Sequence, residues 1–87
     1  MTTFEYNEKM ADLCRRMAKA YAEKGDRVMA DTYDHAEEGF YQKTLSMAFP
    51  LAAIPVSKDQ EQRVMELLQS CVQLEEEAAW VQRARQG

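Results

Sequence analysis

The residues best suited to chemistry lie in "DTYDHAEE", where Asp31, Asp34, His35, Glu37 and Glu38 fall within about two helical turns. Carboxylates and an imidazole at such spacing are metal-ligand types. A helical di-iron centre draws Glu and Glu-x-x-His ligands from facing helices. Here His35 is the only histidine, and Thr32 stands where that Glu should be. The stretch therefore reads as a solvated acidic face, and no metal or cofactor is expected.

Cys14 and Cys71 are the only cysteines. Neither has a neighbouring histidine or a helix N-terminus that would favour the thiolate, so both read as small buried hydrophobes. No glycine-rich phosphate loop, G-x-S-x-G or zinc spacing occurs. Arg15, Arg16 and Arg63, set against glutamates across a bundle, are the material a small all-α enzyme would use. Nothing in the sequence brings them into one pocket. The chain reads as non-enzymatic, with no catalytic residues assigned.

The elements that must position these side chains are helices. The 87 residues include only three Gly and two Pro, 46% hydrophobic and 30% charged, a profile suited to one globular all-α domain spanning 1–87. Thr2 and Glu5 form a capping box before a helix over 3–24, whose stripe is Tyr6, Met10, Leu13, Met17 and Tyr21. Gly25 stops it and Asp26 caps a second helix over 27–48, with Met29, Tyr33, Ala36, Phe40 and Met47 in line. A two-residue "GD" link makes these an antiparallel hairpin. Arg15, Arg16 and Lys19 on the first helix are expected to face Asp31, Asp34, Glu37 and Glu38 on the second.

Ser57 and Gln60 form another capping box, opening a longer third helix over 58–85. Its stripe is Val64, Leu67, Leu68, Cys71, Leu74, Ala78 and Val81. At about 1.5 Å per residue it outreaches the other two, so its last turns should overhang the bundle or meet a second subunit. "EEE" at 75–77 reads as a solvated helix end. The expected architecture is a three-helix bundle, with a homodimer as the expected assembly.

Tyr21, Gly25 and Ala30 in "YAEKGDRVMA" carry the tyrosine, glycine and alanine spacing of a tetratricopeptide repeat. The hairpin resembles one such repeat, with Tyr33 and Ala36 each one residue early. The resemblance implies a helix hairpin.

Residues 49–56, "FPLAAIPV", hold no charge and no hydrophilic side chain, yet contain Pro50 and Pro55. Proline disfavours the α conformation in the residue before it, so this is a stiff link. Its expected role is a lid, with Phe49, Leu51, Ile54 and Val56 folded over the open end of a thin bundle and Leu51 or Ile54 the residues left outside.

Three residues lie off the expected apolar faces. Trp80 aligns with Gln62, Gln69 and Gln73 opposite the third helix's stripe. Tyr41 and Leu45 lie on the acidic side of the second helix with Asp34 and Glu38. Together with Phe49, Leu51 and Ile54 they form the candidate partner-binding set. The functional expectation is a protein-interaction module of inhibitor, adaptor or secretion-chaperone type. The alternatives are a structural homo-oligomerisation unit and a small all-α enzyme.

A net charge of −4 disfavours nucleic acid and anionic membrane as partners. The N-terminus lacks the basic start and apolar core of a signal peptide. The apolar run of the link is about half the length needed to span a bilayer. The expected location is cytoplasmic.

Overall fold

The structure, a computed structural model, describes residues 1–86. It is a three-helix bundle with helix α1 over Thr3–Glu23, α2 over Arg27–Ser46 and α3 over Lys58–Gln86, and a single 3-10 turn at Leu51–Ala53 between α2 and α3.

Each helix starts where its local chemistry satisfies the first backbone donors. The Glu5 amide donates to Thr2 Oγ1 at 3.1 Å, and the Thr2 amide donates to Glu5 Oε1 at 3.2 Å. The same reciprocal pair joins Ser57 and Gln60 at the start of α3. Asp26 caps α2 by accepting from the Met29 amide at 3.1 Å.

Gly25 turns the chain with φ +86°, and the Asp26 amide donates back to the Tyr21 carbonyl at 2.9 Å. That bond terminates α1, and the positive φ is one that favours glycine. α2 ends at Ser46, two residues before the expected 48, because Met47 is already extended at ψ 122°. The hydroxyls of Thr44 and Ser46 donate to the Phe40 and Gln42 carbonyls, a local bonding that loosens helix ends.

The topology makes α1 the centre. α2 runs antiparallel to it, as the "GD" turn requires. α3 runs parallel to it, in a nearly constant register: Met1 bonds Glu61, Arg16 bonds Glu75 and Gln82 bonds Glu23, pairs separated by 60, 59 and 59 positions. No Cα of α2 comes within 8 Å of a Cα of α3. The molecule is accordingly a long, flattened body, 52 × 22 × 16 Å.

Burial follows from this order. α1 buries residues on both flanks, including Tyr6, Leu13, Cys14, Met17, Ala18 and Ala20, whereas Ala30 alone is fully buried on α2. Tyr21 stacks on Tyr33 at 5.7 Å, and Tyr6 meets Phe40 edge-on at 6.4 Å. Val64, Cys71, Leu74 and Ala78 of α3 complete the core. Several of these side chains are small, which lets helices approach closely but leaves a thin core for the area-proportional hydrophobic term.

Two expectations are corrected. Arg15 shares a groove with Glu37 and Glu38 but bonds Asp12, and among the described residues no ion pair joins α1 to α2. The ion pairs of Arg16 and Lys24 go to Glu75 and Glu77 of α3 instead, so two acids of "EEE" dock against α1. Nor does α3 overhang freely: Gln82 Nε2 and Arg85 Nη1 each donate to the Glu23 carbonyl at 3.2 Å, so the last turns of α3 cap the end of α1.

Candidate functional site

Among the described residues, ten large hydrophobic side chains remain exposed, and six of them gather at one end of the body: Phe4, Tyr41, Leu45, Phe49, Leu51 and Ile54. The elements that bring them together are the start of α1, the last turns of α2 and the link. The remaining four are Val28 near the opposite turn and Met65, Val72 and Trp80 on α3.

The link is held in place by the chain's own beginning. Thr3 donates to the Ile54 carbonyl from its amide at 2.7 Å and from its hydroxyl at 2.6 Å. The Val56 amide donates to the Met1 carbonyl at 3.0 Å, and Thr2 and Pro55 form an isolated antiparallel bridge. With the strand-like half fixed this way, Ile54 projects outward while Val56 packs against the core. The Phe49–Pro50 peptide is cis.

The lid expectation is therefore met by Val56 alone. Phe49 is 83% exposed, Leu51 60% and Ile54 49%. The core end that they were expected to cover is instead closed by Met1, whose ammonium bonds Glu61 at 3.2 Å.

Tyr41 and Leu45 are exposed on the outer flank of α2, as their helical phase implies. Trp80 is 71% exposed with the Arg83 guanidinium 5.9 Å from its ring centre. It lies on α3 near the end of α1, away from the apolar end, so the structure divides the six sequence-predicted residues into a group of five and a separate tryptophan. Phe4 joins the five. Its position one residue into a helix, next to the α1 stripe residue Tyr6, gave no sign of exposure.

Several grooves border the helices. One of about 780 Å³ lies between α1 and α3, floored by Leu13, Val64 and Leu68 and rimmed by Lys9, Asp12 and Glu61. A second, of about 520 Å³, lies between α1 and α2 and holds Arg15, Glu37 and Tyr41. A third, of about 640 Å³, opens between α2 and α3 at the apolar end, over Tyr6, Phe40, Met47 and Leu51. Arg16, Arg15 and Arg63 each line a different one of these.

No family model, curated protein or solved structure matches this chain.

The shifts at Arg16, Glu75 and the two thiols trace to burial and to the ion pair between α1 and α3. The Arg16 guanidinium holds the Glu75 carboxyl below its usual range, and Glu75 in turn raises the guanidinium further. Burial pushes the Cys14 thiol up, with the Glu37 charge adding to it. Burial does the same to Cys71, aided by Glu75. Both thiols are free and buried, which keeps them protonated. His35 Nδ1 lies 2.7 Å from the Asp31 carbonyl, a bond within its own helix. Among the described residues no group of three or more His, Cys, Asp or Glu is placed to hold a metal ion, and no helix is long and apolar enough to cross a membrane.

Proposed function

We propose that this protein works by binding another protein through the apolar end formed by Tyr41, Leu45, Phe49, Leu51 and Ile54, with Phe4 alongside. The observation that carries the reading is the concentration there of six of the ten exposed large hydrophobics among the described residues, the other four being scattered over α2 and α3. Large apolar side chains left exposed together on a small domain cost free energy in water, and a common use of them is to be covered by a partner. Phe49 and Leu51 are bulky, exposed and held on a stiff link that loses little entropy on binding. Inhibitor, adaptor and secretion-chaperone modes all work through such a surface.

The test is affinity capture from the native host's lysate, comparing wild type with Phe49→Asp/Leu51→Asp and with Trp80→Ala. The expected result is a stoichiometric protein retained by wild type and Trp80→Ala and lost from the double variant. Identical capture by all three would overturn the reading. Sedimentation of purified wild type addresses self-association: a stable homodimer dissolved by Phe49→Asp/Leu51→Asp would replace the proposed partner with a second copy.

A further inference from the structure

The groove between α2 and α3 differs in charge from the other grooves. Its charged lining residues are Lys43 on one wall and Arg63 on the other, and among the described residues no carboxylate lines it. The grooves between α1 and α3 and between α1 and α2, and a small one beside the Arg16–Glu75 pair, each carry Asp or Glu. Two cations and no carboxylate lining one groove stand out in a protein of net charge −4. Among the described residues neither Lys43 nor Arg63 forms an ion pair, although four such pairs occur elsewhere. Lys43 Nζ rests 5.3 Å from the Phe40 ring centre.

The rest of the lining is mixed: Tyr6 of α1, Phe40 and Met47 of α2 and Leu51 of the link are apolar or aromatic, and uncharged polar side chains lie among them. The walls are the two helices none of whose Cα atoms come within 8 Å of each other. Anything seated here with a carboxylate between Lys43 and Arg63 would bridge α2 and α3, supplying the contact the fold lacks.

From this geometry we infer that the groove receives an acidic amphipathic helix of the partner protein. Its apolar side chains lie on Tyr6, Phe40 and Leu51, and a carboxylate one turn away sits between Lys43 and Arg63. This inference rests on the protein-binding reading above and names the chemistry of the partner. Charge complementarity carries it. A basic or neutral helix would leave both cations uncompensated beside an apolar contact, whereas an acidic one makes charge-assisted bonds to each. A groove of about 640 Å³ has room for the few side chains an amphipathic helix presents on one face.

The experiment is a display selection of randomised helical 16-mer peptides against the full chain, followed by binding of the enriched peptides, synthesised and labelled, by fluorescence anisotropy. Enriched peptides should place Asp or Glu one turn from Leu, Phe or Trp. Their affinity should fall about tenfold or more on Lys43→Glu/Arg63→Glu, and by less on the milder Lys43→Gln/Arg63→Gln. It should also fall as salt is raised. Both substituted side chains are exposed, and far-UV circular dichroism checks that the helices persist.

Peptides without acidic enrichment, peptides indifferent to Lys43→Glu/Arg63→Glu, or no enrichment at all would overturn the inference. If such non-acidic peptides are still lost on Phe49→Asp, the protein-binding reading stands while the acidic helix falls. If Phe49→Asp also leaves them bound, both fall. A wild-type homodimer made monomeric by Lys43→Glu/Arg63→Glu would assign the groove to a second copy and likewise overturn it.

Discussion

Arg16 and Glu75 form a two-pronged ion pair between α1 and α3, with Nε donating to Oε2 at 3.0 Å and Nη2 to Oε1 at 2.6 Å. A guanidinium and a carboxylate matched in this way fix direction as well as distance. Together with the Met1–Glu61 and Glu23–Gln82 bonds, the pair sets the parallel register of the two helices.

This pair makes stability depend on acid. The Glu75 carboxyl, ordinarily near 4.5, is lowered in the folded protein, first by the Arg16 hydrogen bonds. A lowered folded value means the contribution is fully present above pH 4.5 and is lost as pH falls through the lower folded value. Because both side chains are partly solvated, the contribution is under about 1 kcal/mol. Chemical denaturation of wild type and Glu75→Gln should show the two converging below that window and wild type more stable above it. Parallel pH profiles would contradict the assignment.

The two internal glycines should respond oppositely to alanine. Gly25 has φ +86°, and a Cβ there would come 3.4 Å from Arg85 Nη2. Gly25→Ala should destabilise by about 1 kcal/mol or more. Gly39 lies within α2, and no neighbouring atom stands within 4 Å of the place an alanine Cβ would take. Gly39→Ala should stabilise by about 0.5–1 kcal/mol. Urea midpoints of the two variants, read by circular dichroism, decide this.

Ala78 and Trp80 are two residues apart and should behave unlike each other. Ala78 is fully buried in the core shared with α1, so Ala78→Leu overpacks the seam at about 1–3 kcal/mol. Trp80→Ala removes a largely exposed ring and should change stability by under about 0.5 kcal/mol. A larger loss at Trp80 than at Ala78 would reverse the placement of the α3 face.

Trp80 is the only tryptophan, so its emission reports one site. In dilute protein it should be red-shifted and readily quenched by iodide, as expected for a ring that is 71% exposed. A blue-shifted, quencher-resistant emission that persists on dilution would show a covered ring.

The helices, their caps and their order were legible in the sequence, because capping boxes, Gly25 and the two prolines are local signals whose physics acts within a few residues. The phases of Tyr41, Leu45 and Trp80 were legible too, since a helix wheel depends on spacing alone. Tertiary structure decided what local signals do not encode. It placed α1 between its neighbours and left α2 and α3 apart, and it gave the ion pairs of Arg16 and Lys24 to Glu75 and Glu77 of α3 rather than to the acids of α2. It pinned the end of the link to Met1 and Thr3, which turned an expected lid into an exposed apolar end. It also brought Lys43 and Arg63, twenty residues apart in the chain, to opposite walls of one groove. Register between helices and the fate of a connecting segment are set by long-range hydrogen bonds and packing, and these exist only once the chain has folded.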